Sequence, residues 1–485
     1  MFAELDERRV EDALAGALGI AFALFTTWGP ARLAHEDHGN TVTRATTLIN
    51  YLIDSAMRLD NTRYMATLNV MIIGAGIGGL CLAQGLRRAG VSVTVHERTR
   101  ARTDWLQGYR IHINPNGSRA LHACLPPPTW QAFLDTVSTD SGGFGFTTER
   151  LDDLLRFTAE EITPAGVPPE GRHYGVSRIS LREVLLSGMD DVVRLDHEFT
   201  HYEATADGRV TAYFADGGTD TADVLIGADG ANSRVRGQLL PHARRIDTGV
   251  VTVAGKHRLA DATLPRVLTH DVNLVVPKSR GSFFTAVWHP GPQVIAPPEQ
   301  FLLDNTTAYL LWGYTDAATA FSAETVESLS GTDLQRLVLD RAVEWAPALR
   351  DVITGSDPQT INAIRVRSAT PVDAWETGRV TLLGDAIHNM TPMAGIGANT
   401  ALRDAALLYD KLTEVHAGTT AMVPALHDYE HQMLNYGFAA VRQSLRNARQ
   451  ASSTNRLART AFRATLRTAN AMPPLRRRMA AQLGQ

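Results

Sequence analysis

The chain has 485 residues, of which 44% are hydrophobic and 20% charged, so it can bury a large core and form two or more domains. Its formal net charge of -4 at pH 7 argues against broad nucleic-acid binding. The cysteines, Cys81 and Cys124, fit buried reduced thiols in a cytoplasmic protein, and the sequence has no zinc-spaced Cys/His cluster and no H-E-x-x-H or G-x-S-x-G motif.

Residues 1–64 fit poorly with the rest of the chain. The apolar run Ala13–Phe25 is shorter than the ~20 residues that a membrane span needs, and the flank before it is acidic rather than basic. We therefore expect neither a stable membrane span nor a secretory signal. Two interpretations stay open: an extension ahead of a native start at Met65, or a helical appendage packed on the core or on a second subunit.

The next segment has the pattern of a dinucleotide-binding unit. A strand-like run, Asn69–Ile73, leads into Gly74, Gly76 and Gly79, which fit G-x-G-x-x-G in front of a helix-like run to Ala89. Gly74 would allow the tight turn, Gly76 the approach of a pyrophosphate, and Gly79 close packing of the helix. An accidental glycine-rich loop is the alternative, and the strand and helix around these glycines count against it.

A second strand-like run, Val91–His96, follows and ends at Glu97. A carboxylate about 20 residues after the glycines suits hydrogen bonding to the adenosine ribose hydroxyls. The segment therefore predicts one half of a dinucleotide site. Its candidate cofactor-binding residues are Gly74, Gly76, Ile77, Gly78, Gly79, Glu97 and Arg98.

The middle of the chain contains a third strand-like segment and then changes character. Asp223–Gly227 predicts a buried strand, and Asp229-Gly230 opens a turn into a helix. Beyond it, β-rich runs between Pro/Gly turns predict a mostly antiparallel sheet with one helix, Thr332–Ala346. Aromatic side chains on these strands could line a substrate pocket, although such residues are more often core. They are Trp288, His289, Trp312 and Tyr314.

A late segment predicts the second half of the site. Arg379–Leu383 is strand-like, and it is followed by Gly384-Asp385 and by a helix-like run, Ala398–Leu412. Asp385 offers acceptors to a polyhydroxyl chain, and the amides near Gly397–Asn399 point the positive end of a helix at negative charge. The candidate residues here are Asp385, Pro392, Gly395, Gly397, Ala398 and Asn399.

Residues 422–483 predict two helices, and arginines accumulate in the second. They lie at positions 456, 459, 463, 467 and 476–478. A membrane- or nucleic-acid-binding tail is one interpretation. A solvated helix face is favoured, because lysine occurs only at 256, 278 and 411 and arginine is this chain's ordinary cation.

Taken together, these motifs resemble the single-component FAD-dependent aromatic monooxygenases, the para-hydroxybenzoate hydroxylase-like group. Members carry G-x-G-x-x-G, an internal D-G and a late G-D in the order found here, and the resemblance extends from Met65 to about Arg478 with a loosely matched middle. It implies an α/β fold, with a Rossmann-like FAD-binding domain interleaved with an antiparallel-sheet substrate domain and followed by C-terminal helices. The expected segments are an N-terminal extension (1–64), the first part of the FAD-binding domain (65–245), the substrate domain (246–368), the return segment of the FAD-binding domain (369–412) and the C-terminal helices (413–485).

The resemblance adds candidate residues on two further segments. Gly108–Ile113 is similar to the strand that runs beside the isoalloxazine, and Ser177–Glu183 is similar to an R-x-x-L-R segment near the ribityl chain. Many relatives have Gly-Ala-Gly where this chain has Gly108-Tyr109-Arg110, so the roles of Tyr109 and Arg110 stay open. Arg182 is expected to be structural, and a surface ion pair is the alternative for Arg178. The added cofactor-binding candidates are Gly108, Arg110, Arg178 and Asp229.

The resemblance also implies an activity. NADPH or NADH would reduce the FAD, molecular oxygen would add to give a C4a-hydroperoxyflavin, and one oxygen atom would pass to an aromatic or polyketide-like small molecule. Epoxidation or Baeyer–Villiger insertion with the same cofactor stays open, as does a non-redox FAD-binding cyclase or scaffold. The sequence assigns no catalytic side chain and no oligomeric state, and it predicts no nucleic-acid partner.

Overall fold

The computed structural model describes residues 68–100, 109–138, 142–259, 264–290, 307–321 and 326–483. Residues 1–64, with both interpretations given for them, and the candidate Gly108 lie outside these ranges. The strands are β1 (Asn69–Ile73), β2 (Ser92–His96), β3 (Arg110–Ile113), β4 (Phe144–Thr147), β5 (Asp153–Phe157), β6 (Tyr174–Ser177), β7 (Val193–Arg194), β8 (Phe199–Ala204), β9 (Val210–Phe214), β10 (Thr219–Ala222), β11 (Val224–Gly227), β12 (Arg245–Arg258), β13 (Val272–Val275), β14 (Ser282–Trp288), β15 (Tyr309–Ala317), β16 (Asn362–Ala369) and β17 (Val380–Leu382).

The described ranges also contain fourteen α-helices. They are α1 (Ile77–Arg88), α2 (Pro115–Cys124), α3 (Pro127–Thr136), α4 (Ala159–Ile162), α5 (Arg178–Leu186), α6 (Arg234–Leu239), α7 (Arg266–His270), α8 (Gly331–Arg341), α9 (Pro347–Thr354), α10 (Asp385–His388), α11 (Gly397–His416), α12 (Met422–Ala451), α13 (Arg456–Ala471) and α14 (Pro473–Leu483). Within the described ranges, none of them combines the length and apolar composition that crossing a membrane requires.

A five-stranded parallel sheet has the order β17-β11-β1-β2-β7. Its strands β1, β11 and β17 are buried almost throughout, as in parallel sheets that helices cover on both faces. The register aligns Ile73 with His96 and with Gly227, and Gly227 with Leu382. The turns after these four residues therefore meet at one side of the sheet, which we call the carboxyl edge.

A second sheet has seven strands in the order β16-β12-β15-β14-β13-β4-β5. Its neighbouring pairs are antiparallel, except for the parallel pair of β13 and β4. The predicted fold class is confirmed, with a Rossmann-like part, an antiparallel sheet and C-terminal helices. Strands β4 and β5 lie inside residues 65–245, which the sequence assigned to the FAD-binding part, so two separated stretches of chain build this sheet.

One face of the seven-stranded sheet carries the core of this part of the molecule. Phe283, Trp312 and Tyr314 pack there against α8 and α9. Trp312 Nε1 donates to Ser356 Oγ at 2.7 Å, and Tyr314 OH donates to Asp316 Oδ2 at 2.9 Å. Trp312 and Tyr314 are therefore core residues, and the pocket interpretation is wrong for both.

The opposite face, which we call the inner face, carries different aromatic residues. Side chains alternate along a strand, so Trp288 and Tyr309 lie on this face, with ring centroids 5.5 Å apart. Strand β14 also packs against β3 and β6. His289 lies just beyond the strand, where its Nε2 donates to the carbonyl of Thr269 at 2.9 Å.

Prolines divide two stretches for which the sequence predicted too few helices. The predicted helix Thr332–Ala346 ends at Arg341, and a second one begins at Pro347. A proline fits the first position of a helix and forces the residue before it into an extended conformation, as observed at Ala346. Likewise, Pro473 begins α14, so residues 422–483 form three helices and the prediction of two is wrong.

Two arginines of α13 are buried, which corrects the prediction of a solvated arginine face. Arg459 Nε donates to the carbonyl of Pro277 at 2.9 Å. Arg463 Nη1 donates to Glu149 Oε2 at 2.8 Å and to the carbonyl of Val276 at 3.2 Å. These side chains attach α13 to the end of β13, whereas Arg456 and Arg467 are exposed as predicted.

Candidate functional site

The glycine-rich turn after β1 has the shape that a pyrophosphate requires. Gly74 has a φ of 111°, and a Cβ atom there would overlap the carbonyl oxygen of Ala228. A Cβ at Gly79 would overlap the carbonyl oxygen of Gly74, so the first turn of α1 packs directly against the glycine-rich turn. A Cβ at Gly76 would meet nothing within 4 Å, so the turn is open on that side. Backbone amides at the start of α1 can therefore approach an anion closely.

Gly78 and Ile77 occupy the inner side of the same helix start. A Cβ at Gly78 would lie 2.7 Å from Leu383 Cδ1, so this glycine lets α1 approach the end of β17. Ile77 is half-buried and packs against the core of the parallel sheet. The missing side chain of Gly78 and the packed side chain of Ile77 therefore both bring the start of α1 close to the core of the parallel sheet.

The acid at the end of β2 is turned toward the glycine-rich turn. Glu97 is buried, its Oε2 accepts from the amide of Ala75 at 2.8 Å, and its Oε1 accepts from the amide of Thr99 at 3.0 Å. Each carboxylate oxygen can accept a second hydrogen bond, which leaves room for ribose hydroxyls. Arg182 Nε donates to the carbonyl of Ala75 at 3.2 Å, a structural role as predicted. Arg98 is exposed beside this acid.

Asp229 follows β11 and caps its own helix. Its Oδ2 accepts from the amides of Arg234 at 2.7 Å and Val235 at 3.3 Å, at the start of α6. Burial raises the pKa of Asp229, while these hydrogen bonds act in the opposite direction. The carboxylate is therefore anchored at the carboxyl edge, with its turn beside Gly74.

The corner after β17 is held by a buried network that the sequence analysis did not identify. Asp404, on α11, accepts from the amide of Gly384 at 2.7 Å, from His388 Nε2 at 2.7 Å and from Tyr436 OH at 2.6 Å. Gly384 has a φ of 63°, and Asp385 directly after it is exposed. The network fixes the corner and presents the Asp385 carboxylate to the open side of the edge.

Protonation of His388 belongs to this network. Burial disfavours the imidazolium, but the charge of Asp404 and the hydrogen bond between them outweigh burial, so the pKa of His388 is raised. Burial and the same carboxylate also raise the pKa of Tyr436, which stays a hydrogen-bond donor. A buried carboxylate with three donors is satisfied by the chain alone.

The start of α11 has the electrostatics expected for an anionic ring edge. The first amides of a helix have no acceptor within the helix, and the first turn from Gly397 contains no acidic side chain. Pro392 begins the 3-10 turn that leads to it, and Gly395, which follows this turn, has a φ of 65°. Ala398 is half-buried in the first turn.

Asn399 uses its side chain to join α11 to β3. Its Nδ2 donates to the carbonyl of His112 at 2.8 Å, and its Oδ1 accepts from the amide of Asn114 at 2.8 Å. Strand β3 therefore runs directly beside the helix start. Arg110 lies on this strand, while the exposed Arg178 follows the neighbouring strand and donates its backbone amide to the carbonyl of Tyr109 at 3.2 Å.

Two further arginines that the sequence analysis missed connect separate parts of the edge. Arg236 Nη1 donates to the carbonyl of Ala386 at 2.7 Å. Arg245 donates to Asn389 Oδ1 at 2.8 Å and to Asn232 Oδ1 at 2.7 Å. The turn after β11 and the corner after β17 are thus tied together, an arrangement for which the sequence has no local signal.

The described residues at the carboxyl edge fit FAD. The open cradle at Gly76 suits a pyrophosphate, Glu97 a ribose, Asp385 a ribityl chain, and the start of α11 the negatively charged edge of a reduced flavin. Gly74, Gly76, Ile77, Gly78, Gly79, Glu97, Asp229 and Asp385 follow the ends of β1, β2, β11 and β17, and Pro392, Gly395, Gly397, Ala398 and Asn399 lie at or just before the start of α11. Arg110 lies on β3, and Arg98 and Arg178 are exposed.

Comparisons with known proteins agree with this geometry. A family model described as an FAD binding domain matches residues 190–444, and one described as an NAD(P)-binding Rossmann-like domain matches residues 72–136. An FAD-dependent urate hydroxylase of Klebsiella pneumoniae is 30% identical over 75% of this chain and 85% of its own length. A solved Photorhabdus luminescens structure, provisionally assigned as an FAD-containing monooxygenase, is 38% identical, with a TM-score of 0.71 over 79% of this chain and 98% of that one.

A longer relative matches over part of its length. The dual O-methyltransferase/FAD-dependent monooxygenase of Phaeosphaeria nodorum is 31% identical over 73% of this chain. The chain spans 41% of that protein's length. The shared part is therefore one segment of a larger, two-activity protein.

Proposed function

Because the chain belongs to the family of FAD-dependent monooxygenases of the para-hydroxybenzoate hydroxylase-like class, we propose that it uses NADPH or NADH and molecular oxygen to hydroxylate an aromatic or polyketide-like small molecule. The observation that carries the proposal is the meeting of four separated motifs at the carboxyl edge, after β1, β2, β11 and β17. When bound, FAD supplies hydride acceptance and oxygen activation, which no side chain can supply.

The residues that would hold FAD divide by the part of the cofactor they suit. The backbone from Gly74 to Gly76 takes the pyrophosphate, Glu97 the adenosine ribose and Asp385 the ribityl chain. The amides of Gly397, Ala398 and Asn399 stabilise negative charge on the pyrimidine edge, because a helix start is a fixed positive partial charge. The remaining candidates of the same site are Ile77, Gly78, Gly79, Arg98, Gly108, Arg178, Asp229, Pro392 and Gly395.

The inner face of the seven-stranded sheet would exclude water from the reaction. Trp288 and Tyr309 are buried on it, and Phe284 and Leu311 alternate onto the same face. An apolar wall next to a flavin strengthens electrostatic interactions and protects reactive species from hydrolysis. Its side chains would orient the substrate ring, and we assign none of them an acid or base role.

NAD(P)H is proposed as a transient co-substrate. Among the described residues, the carboxyl edge is the one place where a glycine-rich turn, a buried acid and a helix start converge, and FAD would occupy it. The nicotinamide would then approach from outside this edge. A cytoplasmic location is part of the proposal and is supported by the free thiols of the buried Cys81 and Cys124.

The test is a reconstituted turnover assay on purified protein. FAD content is measured first, and the bound flavin is then mixed anaerobically with NADPH or NADH. Oxygen uptake with a panel of phenols, run under labelled dioxygen, should give a product heavier by one labelled oxygen atom. Bound FAD that neither nucleotide reduces would contradict the proposal and favour a non-redox cyclase or scaffold, while product spectra would separate hydroxylation from epoxidation or Baeyer–Villiger insertion.

A further inference from the structure

A second cluster of polar residues lies on the strand pair β3–β6, facing the inner face of the seven-stranded sheet. Ile113 of β3 is buried in the core of the parallel sheet, so Arg110 and His112, which alternate with it, point the other way. The Arg110 guanidinium lies over β6, since a Cβ at Gly175 would be 2.7 Å from its Nε. Gly175 therefore makes room for this side chain.

Arg110 is a cation in a desolvated place. Its Nε is buried and has no hydrogen-bond partner among the residues that the structure describes. Burial lowers the pKa of Arg110 to about 10, and the nearby Tyr309 acts in the opposite direction. The group is still charged at neutral pH, and a buried charge normally has an ionic or hydrogen-bonding partner.

The imidazoles beside Arg110 do not provide that counter-charge. His112 Nε2 and His173 Nδ1 are joined by a hydrogen bond of 2.9 Å. Burial, together with the charge of Arg110, lowers the pKa of His112 to about 3, and burial lowers the pKa of His173 to about 4. Both rings are therefore neutral at pH 7, and His173 Nε2 is itself buried without a partner.

A second cation and flat aromatic rings complete the cluster. Lys256 Nζ lies 4.8 Å from the ring centre of Tyr309 and 5.7 Å from that of Tyr109. Trp288 stacks on Tyr309, and its Nε1 is buried without a partner within the described ranges. Cations, donors and aromatic faces together are suited to a planar ring that carries negative charge.

We propose that Arg110 and Lys256 form an anion subsite for an ionised oxygen group on a flat aromatic substrate, whose ring lies against Tyr309 and Trp288. The inference rests on the proposed function and names its substrate class: an aromatic acid, ionised as a carboxylate or a phenolate. Asn399 ties the carbonyl of His112 to the first turn of α11, so the subsite adjoins the place proposed for the flavin ring. Arg110 thereby acquires a substrate role where many relatives have glycine.

The test compares matched charged and neutral ligands on the FAD-loaded protein by isothermal titration calorimetry. The carboxylate pair is 2-naphthoate and 2-naphthamide, and the phenolate pair is 4-nitrophenol, above the pH of its ionisation, and nitrobenzene. Variants are Arg110→Met, Arg110→Lys and the exposed control Arg467→Met. FAD content and reduction by NAD(P)H are measured on the same samples, so a failure of the proposed function is seen separately.

The expected result is a loss confined to the charged member of a pair. Arg110→Met should weaken binding of that ligand roughly 10- to 100-fold, as expected for a hydrogen bond to a charged group, and leave the neutral one unchanged. Arg110→Lys should recover part of the loss, and Arg467→Met should bind as wild type. A wild-type protein that binds neither anion more tightly than its neutral partner would overturn the inference. Loss of FAD in Arg110→Met without a ligand-specific change would overturn it as well, because the side chain would then serve the cofactor.

Discussion

The carboxyl edge of the parallel sheet and the inner face of the seven-stranded sheet differ in how their buried polar groups are hydrogen-bonded. At the edge, the polar side chains of Glu97, Asp404 and Asn399 have partners supplied by the chain itself. On the inner face and the strand pair opposite, the buried Arg110 Nε and Trp288 Nε1 have none among the described residues. The polar groups of the first region are therefore held in place by the chain itself, whereas the second region has buried donors without a partner in the described ranges.

The sharpest test of this difference is a pair of glycine variants in the same turn. Gly74→Ala places a Cβ against the Ala228 carbonyl at a φ of 111°, and we expect a loss of about 3 kcal/mol or more in the free energy of unfolding, together with loss of FAD. Gly76→Ala points into open space and should weaken FAD binding without lowering stability. Urea unfolding and FAD titration measure both, and equal stability of the two variants would contradict the geometry.

Asp404→Asn should disrupt the buried hydrogen-bond network that holds the corner after β17. Three donors lose their carboxylate, and His388, whose pKa that carboxylate raises, loses its negatively charged partner in a buried place. Removing one partner of a buried ion pair costs about 3–5 kcal/mol, so the urea midpoint should fall and FAD should be lost with it. Asp410→Asn, on the exposed side of the same helix, is the control and should unfold close to wild type.

Asp385→Ala should affect the cofactor alone. The side chain is exposed and the corner is held by Asp404, so the variant should unfold like wild type. It should nevertheless leave gel filtration with less FAD than wild type, because the ribityl hydroxyls lose an acceptor. Asp373→Ala, an exposed aspartate ahead of β17, is the matched control. Unchanged FAD stoichiometry in Asp385→Ala would remove this residue from the site.

The two regions should also differ in the pH dependence of their contribution to stability. The raised pKa of His388, which faces Asp404 and Asp385, gives stability that is present below the unfolded value of about 6.5 and lost as pH rises. The lowered pKa of His112, which faces Arg110 and His173, has the opposite sign, so stability rises with pH from about 3 to about 6.5.

Glutamine variants of these two histidines measure the signs. The free energy of unfolding of wild type minus that of His388→Gln should decrease as pH is raised above about 6.5. The corresponding difference for His112→Gln should increase as pH is raised toward about 6.5. Slopes of the same sign would show that the two imidazoles lie in similar environments, contrary to the described contacts.

The features of the carboxyl edge that could be predicted from the sequence are those that the backbone geometry requires. Gly74 and Gly79 sit where any Cβ would clash, so the sequence must show glycine there, and Glu97 follows because a strand of fixed length places it at the same edge. The Asp404 network and the Asn399 link could not be predicted in the same way. Their partners come from distant helices and strands, and one sequence does not show which side chains meet.

The inner face was harder to predict because it depends on strand direction. Trp312 and Tyr309 lie on the same strand, but they are an odd number of positions apart, so their side chains point to opposite faces of the sheet. Trp312 therefore lies in the core, and Tyr309 lies on the inner face. Both faces of this sheet carry apolar residues, so the alternation that would reveal burial is absent. The burial of Arg459 and Arg463 could not be predicted for a related reason. The sequence of an arginine-rich helix does not show which side chains will donate to the carbonyls of a neighbouring strand.

If the carboxyl edge binds FAD, purified protein should carry the flavin, and its flavin content measures this binding. A visible absorption spectrum, with protein concentration measured in parallel, should show one FAD per chain, either as isolated or after addition of FAD and gel filtration. Protein that unfolds cooperatively in urea but stays colourless, and that takes up no added flavin, would contradict the account.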